Sequence, residues 1–374
     1  MNLVYPPLYL KIQASLKSVG AMTKISLPSN PKICILRLSA IGDVCHALSS
    51  VQAIQQHYPQ AEITWIIGKI EYQLLKNAAN INFVVFDKAQ GLKAYSQLRK
   101  ELRKTLKGQR FDILLQMQLA FRANLAAAFI PAKIKLGFSK QRSKELHSLF
   151  VNRHIENEKG FHVLDGFRDF ARAIGVPDSA PCWQLPVSTT TLGWGEKQLP
   201  KQPYVVISPA ASKAERDWLP QRYAAIADYC QTLGFPVLLT ASPAIRETQL
   251  VEAILACCET QPANLAGKTN LQQLLVTLKQ AELVIAPDSG PAHMAVTQAT
   301  PVIGLYAHSN PRRTGPYLSL ELVADAYSPL AQVQFDRPAE QLEWGLRLKG
   351  EQLMAHISEQ QVKTLIDKVL HNES

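Results

Sequence analysis

Several things are missing from this chain, and each absence removes a class of protein. No apolar run in the 374 residues approaches the roughly 20 needed to cross a bilayer as a helix. The six cysteines (Cys34, Cys45, Cys182, Cys230, Cys257, Cys258) include no CxxC pair and fall in stretches that read as strands and helices. Buried thiols of a reducing compartment are therefore expected, without disulfides. No His, Cys or carboxylate cluster has ligand spacing, so no metal and no other cofactor is expected. The turn after the first apolar strand lacks GxGxxG, which argues against a dinucleotide dehydrogenase. Helix-turn-helix, zinc and aromatic-basic signatures are missing too, so nucleic acid is the weakest candidate partner. Charged residues make up 19% against 47% hydrophobic, the balance of a globular chain with length for two domains.

What charge there is lies unevenly. The net charge is +10, and from Lys93 to Arg153 fourteen Lys and Arg face three acidic residues, Glu101, Asp112 and Glu145. Such a stretch is either a solvated face or a surface for a polyanion, namely an anionic membrane or a phosphorylated substrate. Residues 1–31 lack a long apolar core and a cleavage site; they read as a poorly ordered extension, with Met22 a natural start.

The densest polar elbow is Leu283-Val284-Ile285-Ala286-Pro287-Asp288-Ser289-Gly290-Pro291-Ala292-His293. Four apolar residues predict a buried strand, Asp288 or Ser289 stands at an N-cap position, and Pro291 suits a helix start. Gly290 permits close approach of a ligand, and the free N–H groups of a helix start attract anions. The same pattern opens the chain. Ile33–Leu38 predicts a strand, Ser39–Asp43 a turn, and Val44, Ala47, Leu48, Val51 and Ile54 recur at helical spacing. Asp43 is either a helix cap or a group presented at a strand's carboxyl end, where open α/β sheets bind ligands.

Alternating strands and helices follow to about residue 180, giving an expected first domain of 32–180. Residues 181–202, with Pro181, Pro186, Pro200, Gly193 and Gly195, show little periodicity and read as a linker. The βα rhythm restarts at Tyr204 and defines a second domain of 203–335, followed by a helical segment, 336–374. Two α/β sheets in series imply a cleft between them, a preferred place for ligands.

The stretch Arg37-Leu38-Ser39-Ala40-Ile41-Gly42-Asp43-Val44 resembles the N-terminal signature of the lipopolysaccharide heptosyltransferases, glycosyltransferase family 9. Asp288-Ser289-Gly290-Pro291-Ala292-His293 resembles their D-[ST]-G-x-x-H motif. Ser208 through Trp218 and Gly267–Leu271 are similar to two further blocks, in the family's order and spacing. The resemblance implies a GT-B fold, two Rossmann-like domains facing across a cleft. It also implies metal-independent transfer of heptose from an ADP-sugar donor to the phosphorylated Kdo–lipid A core, with inversion. Asp43 is then the general base. Ser208, Arg216, Glu247, Thr269, Asp288, Ser289, Gly290 and His293 would hold the donor, Glu247 at the ribose and Thr269 at the adenine. Ser39, Gly42, Ser139, Arg142 and Lys144 would face the acceptor. A cytoplasmic protein touching the anionic inner face of the inner membrane is implied, most similar to heptosyltransferase I. The alternatives are a heptose acceptor, as for heptosyltransferase II, another sugar nucleotide, an epimerase or hydrolase of the same fold, or a non-catalytic binding module. An epimerase would need a second acid/base group, and the sequence offers no carboxylate partner near Asp43.

Overall fold

Two sets of short apolar strands build two sheets. The computed structural model describes residues 24–156 and 160–371. The first sheet contains β1 (Lys32–Leu36), β2 (Glu62–Gly68), β3 (Asn82–Phe86), β4 (Phe111–Gln116), β5 (Ala132–Gly137) and β6 (Arg153–His154). The second contains β7 (Val205–Ile207), β8 (Val237–Leu239), β9 (Ala263–Asn264), β10 (Leu283–Pro287), β11 (Val302–Tyr306) and β12 (Val323–Asp325). Every pairing is parallel. A parallel sheet is covered by helices on both faces, so its central strands are apolar at every position instead of alternating. Accordingly β7, β8, β10 and β11 are buried throughout.

The orders are β3-β2-β1-β4-β5-β6 and β12-β11-β10-β7-β8-β9. Each half thus has the same doubly wound permutation, with the order reversing beside β1 in one and β7 in the other. Ligands of such sheets bind outside the carboxyl ends of the strands at these reversals. The residues presented there are 37–43 and 117–118 in the first half, and 208–216 and 288–293 in the second.

The halves are in direct contact. One apolar core runs from Ile33, Ile35, Val44 and Leu48 across to Leu275, Val284, Ala292 and Met294. A second core lies behind the second sheet and includes Val362 and Ile366 of the last helix, Glu359–Leu370. At the elbows the approach is closest. A Cβ on Gly42 would lie 2.3 Å from Cδ2 of His293, and one on Gly290 would lie 3.1 Å from Cγ2 of Ile41. The starts of helices Ile41–His57 and Gly290–Val296 therefore pack with a glycine on each side.

Several local expectations change. The 181–202 connection carries a helix, Thr189–Gln198, capped by Ser188, and Gly195 sits against Val276. The connection is also strapped to the first half, since Trp183 Nε1 donates to Cys45 O at 2.7 Å. Its glycines and threonines hid the helix because its contacts, not its propensity, stabilise it. Not every thiol is buried: Cys34, Cys45 and Cys230 are, whereas Cys182 and Cys257 are exposed, in the connection and at a helix end. Between 336 and 358 the chain makes 3₁₀ turns, and regular helix returns only at Glu359. Residues 1–23 lie outside the described residues; Ile25 and Leu27 pack on the core, and Ile25 N–H donates to Ala173 O at 2.8 Å.

Because the Gly42 position admits no Cβ without displacing the His293 ring, Gly42→Ala is expected to destabilise the protein by about 1–3 kcal/mol. A drop in thermal midpoint measures this, and an unchanged midpoint would show that the elbows separate freely.

Candidate active site between the strand ends

Asp43 occupies the third position of helix Ile41–His57, not its cap. Its carboxylate reaches back to accept the Ala40 N–H at 3.2 Å and forms an ion pair with Arg37. Arg37 is anchored in turn, donating to Met117 O at 2.5 Å with its guanidinium 5.2 Å from the Phe167 ring centre. The Arg37 side chain is 11% exposed and that of Asp43 32%, so the cation is the buried support and the carboxylate the reachable group. Ser39, on the turn before it, accepts a hydrogen bond from Gln118 Nε2 at 3.4 Å.

The second half builds a similar pair. Arg216 Nη1 donates to both the carbonyl and Oδ2 of Asp288, at 2.9 and 3.1 Å, and its Nη2 donates to Ser212 Oγ at 2.6 Å. Burial alone would raise the Asp288 carboxyl, but His293, Ser309 and Arg216 outweigh it and hold the group at about 2. Asp288 is thus a fixed anion that partly neutralises Arg216. His293 Nε2 lies 3.8 Å from Asp288 Oδ1. Ser289 takes the N-cap position but makes no capping bond, and its hydroxyl is buried without a partner. Pro291 is the second helical residue; Gly290 begins the helix.

Glu247, Thr269 and Ser208 occupy the same end of the second sheet. Glu247 Oε2 accepts the Ser242 N–H at 2.9 Å, which fixes the loop after β8. Thr269 is half-buried on a loop turned by Gly267 at φ +69°, whose N–H donates to Ala241 O at 2.9 Å. Ser208 is buried, with its N–H on Ile285 O at 2.9 Å.

On the opposite side, Ser139 and Arg142 fold into one turn, the Arg142 N–H donating to Ser139 O at 3.1 Å. The Arg142 guanidinium turns inward and lies 4.0 Å from the centre of the Trp344 ring, while Lys144 remains exposed. Of these three expected acceptor residues, Ser139 is buried, Arg142 turns inward and Lys144 faces solvent.

Three histidines, two of them not anticipated from the sequence, meet where the halves touch. The His46 ring is 4.5 Å from His293 and 5.3 Å from His162, centre to centre. His162 Nδ1 accepts the Leu164 N–H at 3.0 Å, which leaves Nε2 to donate to Gly315 O at 2.9 Å, across the halves. That bonding assigns a neutral ring with its proton on Nε2. Burial pushes His162 down to about 3, and His293 and Arg313 push the same way against the Gly315 bond. Burial also holds His46 well below the usual histidine range, helped by His293, His162 and Arg37. Trp344 and Arg313 were also unanticipated. His46 alone had a sequence signal, its place three residues after Asp43, and nothing there separates it from a core residue.

Residues 99–342 match glycosyltransferase family 9 (heptosyltransferase). The chain is 48% identical over 326 residues to the lipopolysaccharide core heptosyltransferase OpsX of Haemophilus influenzae, across 87% of this chain and 93% of that one. In three dimensions it is similar to a family 9 glycosyltransferase from Veillonella parvula, with TM-score 0.77, 21% identity and coverage of 94% and 100%. It is also similar to the E. coli ADP-heptose lps heptosyltransferase II, with TM-score 0.69, 22% identity and coverage of 91% and 99%. At such identities the structures speak for the fold, which is the expected GT-B arrangement.

The buried histidines set a pH dependence. An unfolded chain takes up protons on His46 and His162 near pH 6.5, whereas the folded chain keeps both rings neutral. Stability should therefore fall as pH drops below about 6.5, by up to about 1.4 kcal/mol per pH unit for each ring. Thermal unfolding between pH 7.5 and 4 measures the slope, and His162→Gln should make it shallower. An unaltered slope in that variant would mean that His162 is protonated in the fold.

Proposed function

The chain belongs to glycosyltransferase family 9, the heptosyltransferase family, and from that premise we propose that it moves heptose from ADP-heptose to the phosphorylated Kdo–lipid A inner core of lipopolysaccharide. The observation that carries the mechanism is the meeting of Asp43 from one half with the Asp288–Arg216–His293 group from the other, through the contact of Gly42 with His293.

In this mechanism the acceptor hydroxyl gives its proton to Asp43 as its oxygen attacks the anomeric carbon. The bond from that carbon to the diphosphate oxygen breaks on the opposite face, and the configuration inverts. Arg37 holds one carboxylate oxygen of Asp43, so the base is oriented before substrate arrives. Negative charge grows on the departing ADP, where Arg216, the Ser289 hydroxyl and the N–H groups around Gly290 are the available donors. A cation and amide donors can take a diphosphate without a metal. Glu247, in the first turn of the helix Ile245–Cys257 after β8, and Thr269, on the loop after β9, are assigned to the ribose and the adenine.

The acceptor sugar is assigned as the octulosonic acid, as for heptosyltransferase I. A heptose acceptor has no carboxylate and would make less use of the inward-facing Arg142.

The proposed membrane contact is supported by a surface outside the cleft. Phe121, Leu146 and Leu149 are 48%, 60% and 76% exposed. They are neighbours, because Glu145 accepts the Phe121 N–H and its carbonyl accepts from Asn124. Arg122, Lys140 and Lys144 belong to the same segments, so apolar tips stand beside cations, as an anionic bilayer surface requires. No helix among the described residues is long and apolar enough to cross a membrane.

Asp43→Asn retains an acceptor for the Ala40 N–H but not a base. Turnover should fall by about 100-fold or more while ADP-heptose still binds by calorimetry; near-normal turnover would sink the assignment. A Leu146→Asp, Leu149→Asp double variant should lose sedimentation with phosphatidylglycerol vesicles yet keep its thermal midpoint. Equal sedimentation of variant and parent would remove this surface from the membrane.

A further inference from the structure

The loop after β11, His308-Ser309-Asn310-Pro311-Arg312-Arg313-Thr314, is not used by the chemistry above. Asn310 caps its one-turn helix by accepting the Arg312 N–H at 3.0 Å. The two arginines that follow diverge. Arg312 pairs with Glu340 at 2.7 Å, about half exposed. Arg313 turns inward; its Nε is buried without a hydrogen-bond partner, and its guanidinium lies 4.2 Å from the centre of the Trp344 ring.

Trp344 is a fixed platform, because its Nε1 donates to Phe161 O of the first half at 2.8 Å. The same indole carries Arg142 at 4.0 Å. Two guanidiniums at these distances from one ring centre stand within about 8 Å of one another, close enough for Arg313 to lower the proton affinity of Arg142. Arg347 is close enough to add its repulsion to Arg313. Burial lowers the proton affinity of both stacked guanidiniums, Arg142 to about 10, so both remain charged at neutral pH. Among the charges that favour the protonated form of Arg313 are Asp43 and Asp288, the two carboxylates of the active site. Neither is within ion-pair distance of it, and no other carboxylate among the described residues is.

Asp169 and Asp165 favour the charged form of Arg142, whereas Arg313 has no carboxylate of the described residues at ion-pair distance, and planar forks are shaped for oxyanions. We propose that Arg142, Arg313 and Trp344 form a subsite that binds an oxyanion of the acceptor, a phosphate monoester or a sugar carboxylate, between the two halves and beside Asp43. The donor diphosphate has its own donors at Arg216 and the Gly290 elbow. Arg142 comes from the 139–144 loop, which faces the acceptor in the transferase reading on which this subsite rests. An anion held there links a first-half cation to a second-half cation, so the acceptor itself would tie the halves together.

The test measures binding to Asp43→Asn enzyme, so that turnover does not interfere. Phosphorylated Kdo–lipid A in detergent micelles and ADP-heptose are titrated separately into this background, with Arg313 intact or changed to Gln or Lys. Arg313→Gln should weaken acceptor binding about 10- to 100-fold, the range for charge-assisted hydrogen bonds, and leave ADP-heptose binding unchanged. Arg313→Lys should recover part of the loss. Phosphatase treatment of the acceptor identifies the anion: if the Arg313→Gln penalty vanishes the group is a phosphate, and if it persists the group is the carboxylate. An equal loss for ADP-heptose, or no loss for the acceptor, overturns the subsite. If the Asp43→Asn protein with Arg313 intact binds neither ligand, it is the transferase reading that fails.

Discussion

Everything in the site depends on how closely two helix starts approach. Helix Ile41–His57 and helix Gly290–Val296 follow strands of different sheets, and they meet closely because Gly42 has no Cβ to displace the His293 ring and Gly290 leaves room for Ile41. Through Gly42 the first half touches the His293 ring, and through Gly290 the second half touches Ile41. This contact holds together the two helix starts that carry Asp43 and His293. Around it the interface is polar as well as apolar. Gln272 donates to Leu74 O at 2.6 Å, His162 to Gly315 O at 2.9 Å, and Tyr317 to Asp165 at 3.0 Å.

The two halves meet their electrostatic problem in similar ways. Each presents a carboxylate at the end of a central strand or the turn after it, and each gives that carboxylate an arginine from nearby sequence or from the same sheet end. An isolated buried carboxylate would take up a proton; paired, it stays ionised. The pairs differ in exposure. Asp288 is 12% exposed and serves as a fixed charge, whereas Asp43 is 32% exposed and within reach of a bound molecule. His46 and His162 take the other course, remaining neutral in the interface and giving up the protons they would bind in water.

The βα rhythm, the two-domain series and the two polar elbows were legible in the sequence because they are local. Apolar runs of strand length, a glycine at each turn and Pro291 in the first helical turn encode them within a few residues. Asp43, Asp288, Arg216 and His293 could be singled out for the same reason, lying on or beside those elbows. The Thr189–Gln198 helix and the exposure of Cys182 and Cys257 were not legible, since long-range packing decides both.

The sequence by itself therefore determined the fold class, the family and the strand ends at which chemistry is presented. Tertiary structure alone decided which side chains face each other there. His46 lies 116 residues from His162 and Trp344 lies 183 from Phe161, and no local pattern distinguishes a histidine at an interface from one in a core. It also decided that Arg142 turns inward while Lys144, two residues on, stays in solvent. Composition supplies a surplus of cations; the Trp344 ring, held by its bond to Phe161 O, decides which of them are drawn out of water.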